Sequence, residues 1–195
     1  MKYLTLITLF LVGPIEGWTQ GVLNLEDIYG NGTYAMQGYG PVRWMKDNAG
    51  YSTLEKNEKN GGADIIRYEA ESGARSVVVS SESLIPDGAS EPLSIRDYIW
   101  SADNSKLLVF TNTRKVWRYH TRGDYWVLDV ASDKLTQLGQ SIERSTMMFA
   151  KFSPDGSRVA FVSKNNIYVE DLLNGNSQQL TTDGSASIIN GTFDW

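Results

Sequence analysis

Short runs of alternating apolar and polar residues fill most of this chain, and two stretches repeat one design. Trp100-Ser-Ala-Asp-Asn-Ser-Lys-Leu-Leu-Val-Phe110 and Phe152-Ser-Pro-Asp-Gly-Ser-Arg-Val-Ala-Phe-Val162 each lead from an aromatic residue and a Ser through a tight turn into an apolar strand. Alternation with a period of two sets the apolar side chains on one face of a sheet. Each strand is answered by a second one, Tyr125-Trp-Val-Leu-Asp-Val130 or Ile167-Tyr-Val-Glu-Asp-Leu172, then by a polar turn and a closing Gln137-Leu138 or Leu180-Thr181. An earlier copy opens with Pro41-Val-Arg-Trp-Met45, turns at Lys46-Asp-Asn-Ala-Gly50, and runs on through Tyr51-Ser-Thr-Leu54, Ala63-Asp-Ile-Ile-Arg-Tyr68 and Val77-Val-Val79. Gly191-Thr-Phe-Asp-Trp195 reads as the opening of one more.

Strand, turn, strand, turn at a period of roughly 40 to 50 residues is the signature of propeller blades. The predicted fold is therefore all-β: a β-propeller of three four-stranded blades and the start of a fourth. A propeller closes with about four blades or more, and three with a stub leave sheet faces and strand edges bare. The chain is thus expected to continue past Trp195, or to have its open side covered. The copies are also unequal. Their openings shift by 52 residues between Trp100 and Phe152, whereas the answering strands shift by 42 between Tyr125 and Ile167. Ten extra residues are placed inside the second blade, between its first two strands, at Thr111-Asn-Thr-Arg-Lys-Val-Trp-Arg-Tyr-His-Thr-Arg-Gly123. Insertions in repeats often map to a binding face.

The N-terminus follows a different pattern. Lys2 precedes a largely apolar run from Tyr3 to Val12, which Gly13-Pro14 breaks, and Gly17-Trp-Thr-Gln20 could precede a cleavage site. This reads as a secretory signal peptide, the run being short for a membrane span; a buried N-terminal strand or helix is the competing reading. Next, Asn24-Leu-Glu-Asp-Ile-Tyr-Gly30 offers an N-cap, acidic residues in a first turn and a stop, so one or two helical turns are expected. The predicted organisation is a signal peptide over residues 1–20, a lead-in with a short helix over 21–40, and the partial propeller over 41–195. No other segment approaches transmembrane length. The expected location is exported, periplasmic or envelope-associated in a bacterium, with secretion as the alternative.

Composition narrows the chemistry. At 41% hydrophobic and 21% charged the chain is ordinary for a globular protein. Its net charge of -5 argues against a nucleic-acid partner, whose binding domains are usually basic. With no cysteine, disulfides and thiolate-held metals are excluded. His120 is the one histidine, it lies in the inserted segment, and no G-x-S-x-G elbow occurs, so no catalytic triad is assigned. Asp103-Asn104 and Asp155-Gly156 lack the carboxylate spacing of a calcium loop and suit turns instead, so neither a metal nor any other cofactor is expected. Asn31-Gly-Thr33 and Asn190-Gly-Thr192 match the N-glycosylation pattern, which matters only in a eukaryotic secretory pathway. Arg114, Lys115, Arg118 and Arg122, read from spacing alone, form a solvated basic hairpin.

Several segments together carry a family resemblance. Leu23-Asn-Leu-Glu-Asp-Ile-Tyr29, Asp64-Ile-Ile-Arg-Tyr68, Asp97-Tyr-Ile-Trp-Ser101, Phe110-Thr-Asn-Thr-Arg114, Val116-Trp-Arg-Tyr119 and Ile188-Ile-Asn-Gly-Thr-Phe-Asp-Trp195 closely resemble the N-terminal region of dipeptidyl peptidase IV-like enzymes, of the prolyl oligopeptidase family of serine peptidases. The resemblance implies an eight-bladed propeller capping an α/β-hydrolase domain, which releases N-terminal dipeptides with Pro or Ala second. It implies peptide substrates with a free N-terminus, commonly a homodimer, and catalytic residues outside these 195, so that the chain alone is expected to be inactive. It also implies that Arg118, in the extended second-blade hairpin, contacts a substrate carbonyl. Trp117 and Tyr119 are the flanking candidates for substrate contact, expected to point to the opposite strand face and anchor the hairpin. The acidic pair that grips the substrate ammonium group in the family would follow directly after Trp195. Two other readings remain: a non-catalytic periplasmic propeller of TolB type that binds a protein partner, and an inactive member of the peptidase family.

Overall fold

The computed structural model describes residues 23–36 and 40–192. The chain divides between Tyr39 and Gly40 into two units. In the first, Glu26–Gly30 forms one π-helical turn, closed by the Asn31 N–H on the Glu26 carbonyl. Asn24 caps it as expected, its Oδ1 accepting the Asp27 N–H at 2.8 Å. The signal segment and residues 193–195, part of the expected further opening, lie outside the described residues.

The second unit is all-β, and its twelve described strands form three four-stranded antiparallel sheets. The first holds β1 (Arg43–Trp44), β2 (Gly50–Lys56), β3 (Ala63–Glu69) and β4 (Arg75–Val79); the second β5 (Asp97–Trp100), β6 (Lys106–Val116), β7 (Tyr119–Asp129) and β8 (Lys134–Gln137). The third holds β9 (Met148–Phe152), β10 (Arg158–Ser163), β11 (Asn166–Asp171) and β12 (Ser177–Gln179). In each sheet the strands lie in chain order, each paired with the next. Trp100 and Phe152, expected to open their blades, instead end the first strands of their sheets, so those expected openings fall one strand late. The inserted residues consequently lie between the second and third strands of their sheet, where β6 and β7 are both lengthened to 11 residues. Among the described residues no helix is long and apolar enough to cross a membrane.

The turn between first and second strands is built three times from one recipe. Asn48, Asn104 and Gly156 take φ of 54°, 60° and 67°, a left-handed conformation that Asn and Gly tolerate best. Each donates its N–H three residues back, to Met45, Ser101 and Ser153. The Asp before each braces the turn: Asp47 accepts the Ala49 N–H, Asp103 the Ser105 N–H and Asp155 the Ser157 N–H, all at 3.0 Å. Asp103 and Asp155 also accept the hydroxyls of Ser101 and Ser153. These bonds to the carboxylates hold both acids below their ordinary range, Asp155 at about 2.

The middle sheet is covered on both faces. Leu107, Val109 and Leu128 join Ile65, Val79 and Leu84 of the first repeat in one core. Leu108 and Val127 point the other way and pack with Met147, Ala150, Val159 and Phe161 of the third. Sequence alternation along β6 thus serves two cores at once, each fully buried aliphatic side chain contributing roughly 1.5–3 kcal/mol. Polar contacts fix the first pair of sheets further: the buried Tyr98 hydroxyl meets Ser52 Oγ at 2.9 Å, Trp100 Nε1 donates to the same oxygen at 2.8 Å, and Arg43 pairs with Asp97 at 2.7 Å.

Candidate functional site: the extended hairpin of the second sheet

In a four-stranded meander, the hairpin between second and third strands shares an end with the connection to the next sheet. The β6–β7 hairpin projects from that end. Its base is locked by Asp124, wholly buried, which accepts the Ser145 N–H at 2.7 Å and the Asn112 amide at 2.7 Å, with Arg144 Nε also at 2.7 Å. A two-way bridge between Gly123 and Met147 ties β7 to the segment entering the third sheet. Gly123 must be glycine, since a Cβ there would meet the Phe110 ring at 2.5 Å and the Thr111 carbonyl at 2.7 Å. Phe110 stacks across the hairpin on Tyr125, ring centroids 4.7 Å apart, and burial pushes the Tyr125 phenol up to about 12.

Asp124 belongs to a set that sequence reading missed. Asp64, Asp124 and Asn166 each stand five residues before the end of their third strand. Each accepts a backbone N–H from the segment leaving its sheet: Ser81 at 2.7 Å, Ser145 at 2.7 Å and Gly184 at 3.0 Å. Burial raises the Asp64 carboxyl, but the bonds from Ser81 and Asn57 outweigh it and hold that acid below its usual range. Aligning the ends of the three third strands would have revealed the set.

Beyond Asp124 the hairpin departs from regular pairing. The register slips between Thr111 and Arg114 and again between Arg114 and Lys115, so that Arg114 faces Arg122, Lys115 faces His120 and Val116 faces Tyr119. Such bulges twist a hairpin and re-aim its side chains. Trp117 and Arg118 form the two-residue tip, with Trp117 at φ 60°, an uncommon conformation for a bulky side chain. Arg118 is exposed there, and among the described residues no ion pair holds it. Trp117 and Tyr119 do not anchor the hairpin as expected: they are 93% and 72% exposed. The reason is the turn: it carries Trp117 off the strand and leaves Tyr119 at the open end of the hairpin, with the exposed Val116 as its strand partner. His120 is half-buried and its Nδ1 lies 2.8 Å from Thr113 Oγ1, a bond that braces the two strands.

Residues 101–195 match the family described as the dipeptidyl peptidase IV (DPP IV) N-terminal region. The chain thus carries an N-terminal, DPP IV-like region, in agreement with the resemblance read from its motifs. Among individual proteins, it is 28% identical over 194 residues to the "Probable dipeptidyl-aminopeptidase B" of Pyrenophora teres f. teres, covering 93% of this chain and 21% of that one. It is 26% identical over 164 residues to the dipeptidyl aminopeptidase B of Saccharomyces cerevisiae, covering 80% and 19%. The crystal structure of Porphyromonas gingivalis dipeptidyl peptidase 4 superposes with a TM-score of 0.67 at 28% identity, over 84% of this chain and 22% of that one. The chain therefore spans about a fifth of the length of these relatives.

Proposed function

We propose that this region is the recognition part of a serine exopeptidase that releases N-terminal dipeptides with Pro or Ala in second position. Its three sheets are consecutive blades of an eight-bladed propeller that admits only short peptides to a hydrolase domain. Support comes from the relatives' names and from one observation above all: an unpaired Arg118 at the tip of a hairpin whose base is fixed on both strands. A guanidinium stays charged and offers several fixed donors, so it can hold a substrate carbonyl oxygen without a proton of its own to lose. Trp117 and Tyr119, exposed beside it, offer faces to the substrate's apolar parts.

In the complete enzyme the hydrolase domain forms and hydrolyses an acyl-enzyme, and Arg118 positions the dipeptide for that step. The enzyme is exported to the periplasm or envelope and acts as a homodimer. A charged hydrogen bond contributes about 1.5–3 kcal/mol. Arg118→Ala in the complete enzyme should therefore lower kcat/KM for an Ala-Pro substrate by about 10- to 100-fold. Unchanged kcat/KM would remove Arg118 from the site.

A further inference from the structure

At the foot of the same hairpin lies a second feature, on a chain whose overall charge is negative. Arg114, Arg122 and Lys164 line a cavity of about 290 Å³, with Glu143 as the one carboxylate among its lining residues. Lys164 Nζ pairs with Glu143 at 2.7 Å. Among the described residues, neither Arg114 nor Arg122 makes a side-chain hydrogen bond or ion pair. Moreover they are direct cross-strand partners in the hairpin. Like charges placed opposite each other weaken a strand pair, so the hairpin holds an arrangement that folding alone disfavours.

The frame around the cavity is rigid. Lys164 and Asn165 form the two-residue β10–β11 turn, both at positive φ, 47° and 60°. That turn is fastened from outside: the Asn165 carbonyl accepts both the N–H and the amide of Asn190, and its amide donates to the Ser185 carbonyl at 2.8 Å. On the other side the buried Asp124 and the Gly123–Met147 bridge hold the hairpin base. Two of the cations therefore come from one sheet and the third from its neighbour, on backbone that is already fixed. The volume suits the end of one acidic side chain and is at the low limit for a free-standing small ligand. Guanidinium groups hold carboxylates in two parallel hydrogen bonds.

We infer that this cavity is a carboxylate subsite, which takes an acidic side chain of the peptide whose N-terminus lies at Arg118. The identity of the occupant as a peptide rests on the function proposed above; the anion preference rests on the cavity alone. Three residues, Lys115, Val116 and Trp117, lie between Arg114 and Arg118, so the two are at most about 13 Å apart along the chain at about 3.3 Å per residue. An extended peptide with its first residues at the tip therefore brings about its fifth or sixth residue to the cavity. Glu143 competes for the same cations, which keeps the subsite from binding small anions tightly.

The test is binding to the chain itself, by calorimetry at low salt, of two hexapeptides that begin Ala-Pro and end in either two Glu or two Gln. The Glu peptide should bind at least about tenfold more tightly, and raised salt should remove the difference. Arg114→Gln with Arg122→Gln should abolish the preference, the Lys pair of substitutions should restore part of it, and the Gln variant should unfold at the same temperature or higher. Equal binding of the two peptides to the unsubstituted chain would overturn the inference, as would a preference that survives in the Gln variant. Inorganic phosphate or acetate that binds as tightly as the Glu peptide would also overturn it, by showing a site for free anions. Arg118→Ala separates the two readings. If it leaves the Gln peptide's binding unchanged while the Glu preference persists, the subsite stands and the proposed role of Arg118 fails.

Discussion

The two ends of these sheets obey different rules. At one end the turns between first and second strands are nearly interchangeable, with Asp47, Asp103 and Asp155 bracing the same left-handed Asn or Gly. At the other end the hairpins between second and third strands share only their foundation. Asp64, Asp124 and Asn166 accept the same backbone bond, yet what stands beyond them is a loop over residues 57–62, an 11-residue bulged hairpin and a two-residue turn. One end is specified by the requirements of closing a turn. The other is free to vary once its base is pinned, and the varied end is the one that carries Arg118 and the cationic cavity.

The largest effect should come from removing a pin. Asp124→Ala removes a buried carboxylate and with it the bonds from the half-buried Ser145 N–H, the exposed Asn112 amide and Arg144, and should cost about 2 kcal/mol in urea unfolding. Asn166→Ala, at the equivalent place beneath a short turn, should cost about 1 kcal/mol. Equal losses would show that the pin serves the sheet rather than the long hairpin. Hydrogen exchange on the Asp124 variant should show faster exchange at residues 112–122 before any change in β10.

A smaller effect belongs to the constant end. The Asp155 carboxyl is lowered from 3.8 to about 2, and Asp103 is lowered further in the same direction. A depressed carboxyl stabilises the folded state above its unfolded value and loses that contribution as pH falls through its folded value. Stability should therefore decline between about pH 4 and pH 2. The decline should be shallower in a variant with Asp103→Asn and Asp155→Asn, by thermal unfolding across that window. An identical slope would mean that the turn carboxylates do not carry the acid sensitivity.

The smallest concerns Trp117. Its φ of 60° is costly for a bulky side chain, and Asn tolerates it better. Trp117→Asn should raise stability by about 0.5 kcal/mol in urea while weakening peptide binding. A loss of stability would show that the indole packs on the hairpin after all.

The repeated strands, the shared turn chemistry, the residues of the long insertion and the resemblance were legible along the chain, because each depends on residues close together in sequence. Which two strands the insertion joins was not, since the first strands of the second and third sheets went uncounted. Turn type follows from an Asp followed by Asn or Gly, and strand faces follow from alternation. The sites of Trp117 and Tyr119 were not legible. Alternation places them on a strand, and only the two register slips in β6–β7 show that Trp117 lies in a turn.

What the sequence determined by itself is the kind of element and its repetition, since backbone preference and period act over a few residues. Tertiary structure alone decided which face of β6 meets which neighbouring sheet. It also decided that Asp124 would be buried under the loop from the next connection. Arg114, Arg122, Glu143 and Lys164 meet only because strand register sets the first two opposite each other and sheet-on-sheet packing brings up the other two. Charge acts through space, and no local pattern records which distant charges the packing will bring together.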